Sequence, residues 1–450
     1  MPMTGTRPQP LLLVLLLITV SSANVEVEAG IMETATNLPR ANYWMSSVWT
    51  GEAAYIFGGN VCDDTSCDGH ILRYDPGTGD ITTMTATLPT LTYAASAVWT
   101  GDAAYVFGGT GCAEDPNGDI VCNDLDTIVR YDPADDDVAL MNATLPTINR
   151  MMGAVWSGEA AYIFGGYGDT ARLDTIVRYD PATDNVTVME TTLPTPAYAM
   201  SAVWNGEAAY IYGGRGATGY LDTILRYEPR TDTLTILEAT LPNPNIGMAA
   251  VWSGQAAYLF GGHDGGAYQD SIFRHDPTTT TVTTMTSRLL VPSYLMSAVW
   301  NGDAAYVFGG YGCPASTCQA LDTILQYDPQ RPGAPPDVTA VPGDGIGEIV
   351  LTWSAPDAEV HPITGYTIYR GNGPEGLKAI ADVDADTTRY LDGGLVPTLT
   401  YHYHVVAHNT GGYSSRPSET ASAEASLVPR GPMPGDDRSS AFSQHVPVGL

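Results

Sequence analysis

Lysine is almost absent from this chain. Lys378 is the only one among 19 basic residues, which face 50 acids and leave a formal net charge of −31. Nucleic acid and anionic membrane surfaces are held by basic patches, so that balance excludes both as partners. Room for helices is lacking too: 48 Gly and 32 Pro punctuate 450 residues, and each breaks a helix interior. No apolar run is long enough to span a bilayer, which takes about 20 residues. The longest, Leu11 to Val20, has Arg7 before it and Ser21-Ser22-Ala23 after it. That is the form of a secretion signal over residues 1–23, with a retained anchor as the weaker reading. The mature chain is therefore expected outside the cell, without membrane insertion and as a monomer. Apolar residues make up 44% of the chain, enough for the cores of two or three domains.

Cysteine is scarce but paired in sequence: Cys62/Cys67, Cys112/Cys122 and Cys313/Cys318. An even count beside an export signal favours disulfides over thiol chemistry, and C-x4-C couples with no histidine nearby make poor zinc sites.

Repetition organises what is present. Between residues 40 and 330 a unit recurs six times around Val-Trp-x-Gly-x-Ala-Ala-Tyr-x-[Phe/Tyr]-Gly-Gly, with tryptophans at 49, 99, 156, 204, 252 and 300. Arg-Tyr-Asp-Pro or a variant follows, centred on Tyr74, Tyr131, Tyr179, Tyr227, His275 and Tyr327. A period near 50 built from short strands is the mark of a β-propeller blade. In the fourth unit the strands are expected at 198–204, 208–212, 223–227 and 233–237. Strands one and two are nearly all small or apolar, which predicts cover on both faces. The sixth unit stops at Asp328-Pro329 without a fourth strand, whereas Ile31-Met32-Glu33 resembles one with no predecessor. The N-terminal strand is therefore expected to complete the last blade and remove the exposed sheet edges.

At these residues the chain resembles kelch-repeat propellers. The resemblance implies an all-β fold, a six-bladed propeller over residues 24–330. One departure is the tryptophan, here at the end of strand one rather than in strand four. A Pro-rich linker at 331–336 leads into residues 337–426, which resemble a fibronectin type III β-sandwich. That match rests on Leu351-Thr352-Trp353, on Gly365 to Tyr369, and on Leu395 six residues before Tyr401, the position of the family's tyrosine corner. Residues 427–450 are expected to be a disordered tail. Each cysteine couple falls in one inter-strand loop, so nearest-neighbour pairing is expected.

Residues that recur in every unit are read as scaffold. Glu52, Asp102, Glu159, Glu207 and Asp303 hold one turn position, and the acids of the Tyr-Asp-Pro series another. What varies between units points to a site. The loops between strands two and three carry Tyr167, Arg172, Arg215, Tyr220, His263, Tyr268 and Tyr311, besides Asp63, Asp64 and Asp264. The segments entering strand one carry Tyr43, Tyr93, Arg150, Tyr198 and Tyr294, six residues before each tryptophan. In a propeller these two sets share one rim, where tyrosine faces and hydroxyls suit a glycan or protein ligand. Two residues further on, Met45, Met152, Met200, Met248 and Met296 are read as core.

No cofactor motif occurs. Calcium is the one cation with a candidate site, at Asp115, Asn117, Asp119 and Asp124, which offer oxygens at near-alternate positions but lack the distal Glu of a full loop. His402, His404 and His408 share a strand face at period two, where an exposed face is the stronger reading and a metal site the weaker. Asn142 and Asn185 begin glycosylation sequons. The sequence favours a secreted recognition protein, with a secreted carbohydrate-active enzyme on the same rim as the alternative.

Overall fold

A computed structural model describes residues 30–60, 69–314, 317–356 and 360–427. Cys62, Cys67, Asp63, Asp64, the signal segment and most of the tail lie outside the described residues. All regular structure is β. Six four-stranded antiparallel sheets follow one another along the first three quarters of the chain, and their first strands neighbour each other in a closed ring.

The fourth sheet shows the plan. Ser201–Trp204 pairs with Ala209–Tyr212, that strand with Thr223–Glu228, and the last with Thr233–Thr240. The Asn205-Gly206 hairpin closes where Asn205 Oδ1 accepts from the amides of Glu207 (2.9 Å) and Ala208 (2.8 Å). Strand one starts three residues later than the sequence predicts, because Ala199 turns the backbone into left-handed conformation (φ 55°) just before it. In the sixth sheet Ile31–Glu33 supplies the outer strand, with Ile31 opposite Tyr327 and Glu33 opposite Leu325. The ring thus closes with the first and last strands of the repeat region side by side.

A second ring lies inside the first. It takes one residue from every sheet: Trp44, Ala94, Met151, Ala199, Gly247 and Leu295 all have φ between 54° and 62°. Each donates its N–H to the carbonyl of the preceding member, Trp44 to Leu295 (2.9 Å) and so on round to Leu295 to Gly247 (2.7 Å). Six hydrogen bonds therefore link all six sheets in a cycle around the central channel. The left-handed turn aims N–H and C=O along the circumference, which five non-glycine residues adopt at a steric cost.

The core lies between sheets. Every third-strand Tyr packs edge-on against the Phe that ends strand two of the sheet before, as Tyr179 does on Phe107 (5.7 Å), and His275 does the same on Tyr212. Second strands are buried throughout, whereas first strands alternate: Val203 is buried, but Ala202 and Trp204 stay half-exposed. The expected cover on both faces fails there because the inner face of each first strand lines the channel. The methionine ring is core, 4–6% exposed. At Gly165-Gly166 close approach requires the paired glycines: a Cβ on Gly165 would lie 2.6 Å from the Ala197 carbonyl oxygen and 3.0 Å from Met200 Cε, and one on Gly166 would land on Asn149 Oδ1. An aspartate in three successive turns between strands three and four latches neighbouring sheets. Asp184 accepts from Tyr179 Oη (3.2 Å) of its own sheet and from the Asn142 amide (3.0 Å) of the sheet before.

The C-terminal unit stacks a three-stranded on a four-stranded sheet around Trp353, Tyr366 and Tyr403. Tyr401 Oη accepts from the Val396 amide (3.2 Å), the corner bond expected of that residue. Arg370 grips the buried Asp392 through both carboxylate oxygens (2.8 and 2.9 Å), and Tyr403 Oη donates to the same group (2.7 Å). The two units touch at their joint, where Asn409 Nδ2 donates to the Gln330 carbonyl (2.7 Å).

Candidate functional site

Backbone pairing above the inner ring brings the two variable sets together. Arg150 pairs with Tyr167 and Tyr198 with Arg215, while Ile246 pairs with His263 and Tyr294 with Tyr311. Each loop between strands two and three then folds back on itself, setting Arg172 opposite Tyr167, Tyr220 opposite Arg215 and Tyr268 opposite His263.

Their side chains form a belt around one channel mouth, completed at one point by backbone pairing. Tyr43 lies 5.3 Å from Tyr311, which contacts Tyr294 and Tyr268 at 6.2 Å each. Tyr268 and Tyr294 stack at 4.8 Å, and His263 sits 5.2 Å from Tyr268 and 5.8 Å from Tyr220. Arginine then alternates with tyrosine: Arg215 over Tyr220 (5.5 Å), Arg172 over Tyr198 (5.6 Å) and Arg150 over Tyr167 (5.2 Å). Arg215 Nη1 also donates to Tyr198 Oη (3.3 Å). From Arg150 the belt passes by an ion pair of 3.4 Å to Asp124, which accepts from Thr110 Oγ1 (2.7 Å). Thr110 is the strand partner of Tyr93, and Tyr93 stacks on Trp44 (5.5 Å), which adjoins Tyr43 (5.2 Å). All twelve tyrosines, arginines and histidine named from the sequence are members, whereas Asp264 turns inward on its own loop, accepting from the Gly266 and Ala267 amides (2.8 Å each).

Trp44 is the member the sequence reading missed. Its signal is a tryptophan at a repeat position where the other units have Ala, Met, Gly or Leu. Its half-buried ring beside Met151 and Leu295 makes an apolar floor inside the polar belt. Belt side chains are half-buried apart from the exposed Arg215. Burial, followed by neighbouring Tyr268, pushes the Tyr294 phenol up to about 12, and burial raises Tyr43 as well. Both therefore keep their protons at neutral pH. Tyr43 Oη accepts from Asn60 Nδ2 (2.7 Å), which leaves its own proton for a ligand.

The calcium candidates are not gathered. Asp115 Oδ1 accepts from the amides of Asn117 (2.8 Å) and Asp119 (3.0 Å), the turn of a hairpin, and these bonds hold its carboxyl below the usual range. Asp124 sits at the other end of that hairpin, opposite Thr110, and serves the belt. Two of the three sandwich histidines also have other occupations. His408 bonds Thr367 Oγ1 (2.7 Å) and Ser414 Oγ (2.9 Å), and His404 lies on Tyr369 (4.7 Å). Among the described residues no group of three His, Cys, Asp or Glu is placed to hold a metal ion. Cys112 bonds Cys122 and Cys313 bonds Cys318, both across belt loops. Asn142 and Asn185 are exposed on outer strands.

A ring of four-stranded sheets closed by its first segment, with its irregular loops on one rim, defines a β-propeller. The profile of the KLHDC2/KLHL20/DRC7 kelch-repeats domain matches residues 44–244 and 151–332, and the chain belongs to the kelch-repeat family. The fibronectin type III profile matches residues 333–424. Among solved structures, one titled "Structure of YjhT" is similar with a TM-score of 0.54, at 14% identity, over 64% of this chain and 95% of that one. That likeness is one of fold. A search of curated proteins found no match.

Proposed function

We propose that this chain is a secreted binding protein that holds a protein or glycan ligand on the aromatic and arginine belt. A kelch propeller joined to a fibronectin type III module supports a protein-binding role, and two disulfides agree with an oxidising, extracellular setting. No described helix is long and apolar enough to cross a membrane.

The observation that carries the reading is the continuity of the belt. Scaffold positions repeat from unit to unit, but belt positions vary between Tyr, Arg and His while remaining joined by ring contacts and backbone pairing. Tyrosine and arginine offer planar faces with fixed donors, the side chains that dominate binding hot spots. Probing a glycan array and a peptide array with the full chain tests the reading. Binding to one class is the expected result, and an empty result on both arrays would overturn it.

A further inference from the structure

The far mouth of the channel is built from different chemistry. Each first strand runs from the belt to a tryptophan, so six indoles, Trp49 through Trp300, surround the opposite opening. They line a cavity of about 270 Å³ together with the Ser or Ala two residues before each of them. Every indole is half-buried and packs against a core between sheets. No charged side chain lines the cavity.

Three residues past each tryptophan, on the hairpin tip, stands an acid: Glu52, Asp102, Glu159, Glu207 and Asp303, with Gln255 in the fifth sheet. All five acids are exposed, and among the described residues none is in an ion pair. The arginines of the third strands, from Arg73 to Arg274, are each paired with the acid two residues on. The mouth is thus an aromatic funnel inside a ring of uncompensated carboxylates.

We propose that this mouth is a second binding site, for a guanidinium or alkylammonium side chain carried on a basic peptide. Indole is the best aromatic partner of a cation, and the attraction grows where both are shielded from water. The carboxylate ring draws a basic chain toward the opening and repels an anionic one. Small Ser and Ala residues leave the channel wide enough for the aliphatic stem, which prefers such an apolar wall. This site is separate from the belt and stands or falls independently of it.

A labelled oligo-arginine peptide, with oligo-serine and oligo-glutamate peptides as controls, is titrated into the full chain while anisotropy and indole fluorescence are followed. Only the basic peptide should bind, and it should perturb the indole emission. The triple variant Asp102→Asn/Glu159→Gln/Glu207→Gln should weaken it about tenfold or more, because it more than halves the negative charge on the hairpin tips that draws the cation in. Asp135→Asn/Asp137→Asn/Glu190→Gln removes as many exposed acids from the outer turns and strands and should weaken it far less. Trp156→Phe/Trp204→Phe keeps an aromatic ring for packing but a poorer cation partner, and should weaken binding with the acids intact. No binding of the basic peptide would overturn the proposal. So would equal losses from the two acid triples, or unchanged affinity in a folded tryptophan variant. Should the tryptophan variant melt early, the two acid triples, confined to exposed side chains, decide alone.

Discussion

At the scale of single residues, the repeats explain their own exceptions. His275 stands where the other five sheets have Tyr, and Tyr212 where the other five have Phe. The two changes meet: Tyr212 Oη bonds His275 Nδ1 at 2.9 Å in a fully buried contact between sheets. Burial lowers the His275 pKa from its ordinary value to about 4. The unfolded chain therefore takes up a proton between about pH 6.5 and pH 4 that the folded chain refuses. Stability is full above that window and falls as the pH drops through it, by about 3 kcal/mol at the lower end. The double change Tyr212→Phe/His275→Tyr restores the residues used elsewhere, and a comparison of denaturant midpoints at pH 7 and pH 4.5 should show that part of the loss removed. An identical pH dependence in the double variant would contradict the assignment. The latch at Asp184 yields a second expectation. Asp184→Ala strips a partner from the Asn142 amide and from Tyr179 Oη and should cost about 1–3 kcal/mol, read in a chemical melt.

At the scale of elements, strands were legible because hairpin turns announce them. Asn205-Gly206 and the Glu228-Pro229 turn bracket strands whose cores match the expectation, and Ile31–Glu33 is legible from its likeness to other fourth strands. Their limits were less legible. Nothing in the residue types at Ala199 or Met151 marks a left-handed turn, so strand one was read as starting at 198, and the hydrogen-bonded inner ring went unseen. That ring depends on contacts between residues about 50 positions apart, and about 250 at the closing bond from Trp44 to Leu295, beyond any local pattern. Deleting residues 25–39 removes the closing strand, exposes the edge at Ile324–Tyr327 and should lower stability by several kcal/mol. An unchanged melting temperature would sink the closure. Peptide mapping without reduction should recover Cys112–Cys122 and Cys313–Cys318, with Cys62–Cys67 expected as the third pair; any link between sheets counts against this pattern.

At the scale of the whole molecule, two mouths of one channel carry opposite chemistry, arginine and tyrosine at one and tryptophan ringed by carboxylates at the other. The sequence revealed the belt's members because they break the repeat, but not their order of contact, nor Trp44, which only the closed ring brings beside Tyr93. It discounted the turn acids because they repeat, and repetition is what places them around a single opening. The central claim is that the belt binds rather than merely packs. The most direct test takes the array ligand and measures its affinity and the melting temperature together for the wild type, Tyr198→Ala and Arg215→Ala. Loss of about 1–2 kcal/mol of binding, with melting nearly unchanged in the exposed Arg215→Ala variant, is the predicted result. A Tyr198→Ala variant that loses about 3–5 kcal/mol of stability, while both variants keep the wild-type affinity, would make the belt scaffold and contradict the account.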